Sequence, residues 1–436
     1  MLQSIYAGVS SLQSFQTGID VLANNIANVN TIGFKGSSTE FSNLYAKEIS
    51  TSGNAVTSTQ SGLGVRVSAT ALDISKGEYY RTGNVTDLAI NGDDGWFGLI
   101  GNSDDTYFTR AGNFSFDPYT LDGTPADTGE FPFYPYGEFS GDVRLMNEEG
   151  FFVTGTVANN TTDGILSPIV ETLELNLADV AAQDALTFPG QLTYPVQPTT
   201  QADFFGNLGT ENIPRVVSAE VISPQSERNS LRLYFTQSAV QPATGISWDV
   251  LATTQTADGS VVYDTQTGVV TFDGNGALAN STLGTLDNNG APVTANMRSG
   301  FSGLISNDGP TQATSVTVDG ILQGDLVNYT VNRNGEVIST FTNGRQSVVG
   351  KVAIYHFQND QGLEAISGNK FRASVNSGQP IFYAQDNGEI LTSTLENSNV
   401  TLDRALTELI IMQRSYDAAS KTISTGDEML KNALQM

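Results

Sequence analysis

Few residues of this chain are suited to chemistry. Its 436 residues include no cysteine and one histidine, His356. Disulfides, iron–sulfur clusters, thiolate metal sites and cysteine nucleophiles are therefore excluded, and one imidazole leaves little for a triad or a transition-metal site. Asp273-Gly274-Asn275-Gly276 and Asp386-Asn387-Gly388 carry calcium-loop residue types. An EF-hand loop also needs a bidentate Glu at its twelfth position. Counted from Asp273, that place holds Gly284. Both stretches read as hairpin turns. His356 lies in the apolar run Lys351 to Phe357 and reads as a half-buried strand residue. Arg110 reads as a structural arginine tying a loop to a carboxylate. Asn24, Asn25, Asn28 and Asn30 suit a helix end and the turn after it. No catalytic residue, metal ligand or cofactor is expected.

Charge narrows the classes further. There are 46 acidic and 20 basic residues, a net charge of −26. Nucleic acid and anionic membrane surfaces need clustered Lys and Arg, so neither is an expected partner. No window approaches the ~18 apolar residues of a spanning helix, so no membrane insertion is expected. The first basic residue is Lys35, and no charged start precedes an apolar run. The reading is a cytoplasmic protein or one exported without a cleaved signal.

The elements that organise the chain are its two ends. Ile5, Leu12, Ile19 and Ile26 are seven apart, with Gly8, Phe15, Leu22 and Val29 three residues after each. The C-terminal end repeats this a/d seam. Leu402, Leu409, Tyr416, Ile423 and Leu430 are followed at the same offset by Ala405, Met412, Ala419, Gly426 and Ala433. Mostly small residues on one side of that seam would let two helices approach closely. An isolated amphipathic helix is marginal in water, so the first helix is expected to pack on the last. It should end near Asn30.

What lies between reads as strands and turns. At this length about three domains are expected. Residues 35–75 are rich in Ser, Thr, Gly and Gln without a helical period, and read as an extended linker. Asn91-Gly92 between apolar runs signals a hairpin. Leu231 to Phe235, Ser247 to Leu251 and Val269 to Phe272 are clear short strands. The expected fold is α+β and multidomain, with paired, coiled-coil-like terminal helices and sandwich- or barrel-like β domains. The expected division is 1–34 with 398–436 (helical), 35–75 (linker), 76–165 with 313–397 (discontinuous β core) and 166–312 (outer β domain).

Three separated motifs carry a family resemblance. Ala23 to Lys35, ANNIANVNTIGFK, comes first and includes Gly33 and Phe34. Tyr107 to Phe114 follows, with Thr109 and Arg110. Leu409-Ile410, Gln413-Arg414-Ser415-Tyr416 and Asp427 to Leu430 complete the set. In this order they resemble the bacterial flagellar axial proteins, the rod, hook and hook-associated family. The run Leu231 to Phe235, Trp248 and Thr271 to Gly276 resembles an outer domain of the hook branch that rod proteins lack. The loop at 119–141 is longer than the family's usual turn. The resemblance implies a structural subunit of a curved, hollow polymer that transmits torque as a flexible joint and forms part of an export channel. It implies that the motif asparagines help pack neighbouring subunits. The implied partners are further copies of the chain, the distal rod protein, the hook cap protein, the hook–filament junction proteins, the hook-length control protein and the flagellar type III export apparatus. The implied location is the extracellular flagellum. The alternatives are a distal rod or hook-associated protein and, outside the family, a β-rich glycan-binding protein or enzyme.

Overall fold

The computed structural model describes residues 2–44, 47–48, 60–101, 105–118, 142–158, 161–162, 164–166, 184–310, 315–382 and 390–435. The expected loop at 119–141, the boundary at Ser167-Pro168 and the turn at Asp386-Asn387-Gly388 lie outside these residues.

Each end is one helix, α1 (Leu2–Ala27) and α2 (Leu402–Gln435). They pack antiparallel. Gly8 lies against Ile423, and Gly426 against Ile5. A Cβ on Gly8 would fall 2.7 Å from Ile423 Cγ1, and one on Gly426 2.8 Å from Ile5 Cγ1. Each glycine admits the large residue of the other helix. Helix α1 stops at Ala27, short of Asn30. The Asn28 side-chain amide donates to Asn24 O at 2.9 Å, taking a carbonyl at the helix end and favouring a turn there.

After α1 comes β1 (Ser37–Asn43), which pairs antiparallel with β2 (Val65–Leu72). The stretch read as a linker thus contributes a long hairpin laid along α1. Phe41 meets Phe15 at 5.9 Å between ring centroids, and Ser14 donates to Val65 O at 3.0 Å. Phe41 is the one large apolar residue of β1, so the sequence there shows no clear alternation.

Most strands from Trp96 to Tyr194 and from Gly324 to Phe382 join one closed barrel. Its interior holds Leu88, Phe97, Leu99, Phe188, Tyr329, Phe341 and Ile390. Thr187-Phe188 and Thr193-Tyr194, expected within the outer domain at 166–312, pair into this barrel. Leu186, Phe188 and Leu192 fill its core, which explains where these short strands go.

Between Gln201 and Val318 two sheets stack as a sandwich. One contains β3 (Arg215–Ile222), β4 (Arg228–Gln237), β5 (Ile246–Thr256), β6 (Val262–Phe272) and β7 (Leu278–Ser281) in sequential order. The other is built around Gln201–Asn207. Alternate residues of both face inward, so Phe204, Leu231, Leu233, Phe235, Trp248 and Phe272 form one buried core. The chain enters and leaves beside an antiparallel bridge between Gln197 and Ile321. No helix among the described residues is long and apolar enough to cross a membrane.

Candidate functional site

The site is the helix pair together with the junction that fixes it to the barrel. Helix α1 uses two faces. One meets α2 through Ile5, Gly8 and their neighbours. The other turns to the hairpin through buried Ser14, Gly18 and Asn25. Helix α2 buries Ala405, Ala419 and Gly426, three of the four small positions of its seam, and leaves Ala433 exposed. Leu409, Met412, Tyr416, Ile423 and Leu430 are half-buried. Leu402, expected in the seam, is 48% exposed. The antiparallel pairing carries it past the last turn of α1, which ends at Ala27. Ile410 and Ile411 are 52% and 56% exposed, and Leu406 also faces outward. On α1, Ile5, Leu12, Phe15, Ile19 and Ile26 are half-buried and Leu22 is buried; Val29, in the turn after it, is half-buried.

The junction is made of buried charge. Lys35 Nζ lies 2.7 Å from Glu396 Oε1, and Arg110 Nη1 lies 3.3 Å from Glu396 Oε2. All three side chains are essentially out of water. A lone buried ion costs several kcal/mol, so each needs further partners. Lys35 also donates to Ser75 O at 2.7 Å, and Gly77 N donates to Glu396 Oε1 at 2.8 Å. Arg110 donates to the carbonyls of Gly92 and Asp93 and sits over the Trp96 ring. Two cations share one carboxylate. Burial first, and Arg110 second, pull the Lys35 ammonium below the usual lysine range.

Hydrogen bonds from Asn side chains close the rest of the junction. Asn25 donates to Ser37 O at 2.7 Å and accepts from Ser37 N at 3.0 Å. Asn399 accepts from Gly36 N at 2.8 Å and donates to Asp73 O at 2.8 Å. Gly33 has φ +63° and donates to Glu396 O at 2.7 Å. Any Cβ there would strike the Arg110–Ala111 backbone, so only glycine fits.

The motif residues separate into two groups. Gly33, Thr109 and Arg110 belong to the junction, where Thr109 Oγ1 donates to Asn369 O at 2.9 Å. Phe34 is half-buried beside them. Asn25, expected to help pack neighbouring subunits, spends both ends of its amide within its own chain. Asn24 and Asn30 are exposed, and Asn24 and Asn28 line a groove of about 580 Å³ with Thr31, Asn369 and Lys370. Gln413 and Arg414 are exposed on α2. His356 is half-buried in its strand, and Asp273 Oδ1 accepts from Asn275 N and Ala277 N within a turn. Among the described residues no cluster of His, Cys, Asp and Glu could hold a metal ion. No joining role was expected of Lys35, Glu396 or Asn399 from the sequence. A lysine and a glutamate beside the helix ends, in segments otherwise poor in charge, were the available signal.

Comparison with known proteins bears on these same segments. A family model described as the flagella basal body rod protein matches residues 5–35. One described as the C-terminal part of the flagellar basal body rod FlgEFG proteins matches residues 391–436. The flagellar hook protein FlgE of Salmonella typhimurium is 27% identical over 451 residues, covering 99% of this chain and all of that one. Over nearly its whole length the chain is similar to flagellar hook proteins, and at both ends to the rod and hook family models. Among other hook proteins of this family, FlgE of Treponema pallidum is 26% identical over 485 residues, with each chain covered in full. FlgE of Escherichia coli is 26% identical over 438 residues, with 98% of each covered. The solved flagellar hook protein FlgE2 of Helicobacter pylori aligns with a TM-score of 0.49 and 15% identity, covering 73% of this chain and all of that one. Lys35 closes the first family-matched segment and Glu396 lies in the second, while Arg110 stands outside both. The junction therefore joins the family's two shared ends to the barrel between them.

Proposed function

We propose that this chain is the structural subunit of the bacterial flagellar hook, a curved hollow polymer. It acts as a flexible joint passing torque from rod to filament, and lines part of the export channel. The observation that carries this reading is the apolar face that the helix pair leaves in water. Leu402, Leu406, Ile410 and Ile411 lie outward on α2, and Tyr6 and Val9 on α1. Exposed apolar area of this kind marks an interaction surface. Neighbouring copies would cover it, so that stacked pairs form a stiff inner tube. The seam residues, the exposed Asn24 and Asn30, the half-buried Asn28, and Gln413 and Arg414 are read here as tube contacts. The paired strands β1 and β2 bridge adjacent subunits, and the sandwich gives polar outer surfaces that slide as the joint bends. Catalysis plays no part in this role.

In this reading the chain reaches the extracellular flagellum through the flagellar type III export apparatus without a cleaved signal. It would meet the distal rod protein at one end of the polymer and the hook–filament junction proteins at the other, with the cap and length-control proteins acting during growth. The test is a strain lacking the gene, viewed by electron microscopy. The expected result is a basal body with its rod and no hook. A normal hook in that strain would sink the reading.

A further inference from the structure

The chain crosses twice between barrel and sandwich, over 195–200 on the way out and 319–323 on the way back. A two-strand neck of this kind is where two units ordinarily swing against each other. The outward strand is already stiff, because Pro195 and Pro198 fix their own φ angles. Gln197 and Ile321 then tie the two strands together. Gln197 N donates to Ile321 O at 2.9 Å, and Ile321 N donates to Gln197 O at 2.8 Å.

Just past that bridge, one peptide unit is held from both sides. The carbonyl of Leu322 accepts from the Asn343 side-chain amide at 2.8 Å. Asn343 lies in the barrel turn between strands Glu336–Phe341 and Gln346–Val352. The N–H of Gln323, on the same peptide, donates to Ser226 Oγ at 2.9 Å. Ser226 lies in the sandwich turn between β3 and β4. A trans peptide is a rigid plate whose carbonyl and N–H point opposite ways. The barrel therefore grips one edge of the plate and the sandwich grips the other.

Both grips are braced. A Cβ on Gly324 would fall 2.6 Å from Asn343 Cγ, so a glycine lets Asn343 come this close. Arg345 N donates to Asn343 Oδ1 at 3.0 Å, which turns the amide nitrogen toward Leu322. On the sandwich side Ser226 has φ +62°, a left-handed conformation uncommon for serine. Glycine would adopt it at less cost but would bring no hydroxyl. Buried Ser223 holds that turn. Its Oγ accepts from Glu227 N at 3.2 Å, and its N donates to Glu227 O at 3.0 Å.

We propose that the Leu322–Gln323 peptide is a clamp that locks the sandwich at one angle to the barrel. Asn343 and Ser226 are its two positioning residues. The neck is then a rigid elbow rather than a hinge, and a load on the sandwich passes into the barrel without being taken up between them. Releasing either grip leaves the plate fastened on one side and frees the swing. A single chain suffices for this device, so the inference stands apart from the hook reading.

The chain has no cysteine, so Val240→Cys with Val327→Cys places spin labels at two chosen points of the full-length monomer. Val240 is 82% exposed beyond the far end of β4, and Val327 is 40% exposed on the barrel. Double electron–electron resonance should give one narrow distance. Ser226→Gly keeps the left-handed turn and removes the hydroxyl. Asn343→Asp keeps the acceptor for Arg345 N and removes the donor. Each should spread the narrow distance into a broad distribution with circular dichroism unchanged. The two together should add little, because one plate is already loose. A distance that is broad before any substitution at the clamp, or that stays narrow in either variant, overturns the proposal. A double variant much broader than either single one would mean two separate restraints, and overturns it as well.

Discussion

The sandwich and the helix pair solve the burial problem in opposite ways. The sandwich encloses its large side chains, so that Phe204, Leu231, Phe235 and Trp248 are wholly buried inside one unit. The helix pair buries mainly small or glycine positions and leaves Leu406, Ile410 and Ile411 outside. Strands of β4 to β6 have two neighbours each, whereas α2 has α1 and little else. A unit with a closed core needs no further copy to be folded. A unit with an open apolar face gains most of its burial from association. The difference separates a unit closed on itself from one left open, and it can be broken at four points.

The largest effect is expected from removing the sandwich. Gln197 N donates to Ile321 O at 2.9 Å, so the two strands already stand side by side where the excised unit would leave. Joining Pro198 to Gly320 through a short Gly/Ser turn should leave barrel and helix pair folded. Tubes should still form, straighter than wild type, when imaged by cryo-electron microscopy. Folded, exported monomer that never polymerises would show that assembly resides in the sandwich.

Glu396→Gln strikes the junction instead. It leaves Lys35 and Arg110 buried without an anion, a change that costs about 3–5 kcal/mol. Chemical denaturation should show the barrel transition moving down by that amount while the sandwich transition stays in place. Equal shifts in both would mean that the two units unfold as one.

Gly8→Val is a smaller and more local perturbation. Its side chain would meet Ile423 and force the helices apart, at a cost of about 1–3 kcal/mol. Hydrogen exchange should quicken in α1 and α2 and stay unchanged in β3 to β6. Unchanged exchange in both helices would mean that they are not held by each other.

The smallest expected effect is one of pH. The Lys35 pKa is lowered in the folded chain, chiefly by burial. Its contribution to stability is thus fully present above the ordinary lysine value of 10.5 and lost as the pH falls through the lower folded value. Lys35→Met should flatten that rise of stability with pH, measured below the tyrosine range. A wild-type curve that falls across the same window would contradict the charge arrangement at the junction.

Much of this comparison was legible beforehand. The seven-residue repeats placed both helices, because a helix writes its buried face into sequence at a fixed interval. Ala405, Ala419 and Gly426 announced a close approach. Strands such as Leu231 to Phe235 were legible because alternation records a single buried face. The hairpin β1–β2 was not, since its Ser and Thr residues rest on small side chains of α1 and leave little hydrophobic signature. The pairing of Lys35 with Glu396 was also hidden. It spans 361 positions, and no local pattern registers a partner at that range.

That span also governs the order in which one molecule becomes complete. A chain released with its N-terminus leading brings Lys35 and Arg110 into the open first, two like charges whose shared anion is near the other end. If the opposite end leads, Glu396 waits for both. In either direction the junction closes only once nearly the whole polypeptide is free. Closing it early would bury charge without an answer, so the junction waits for the last of its three charges.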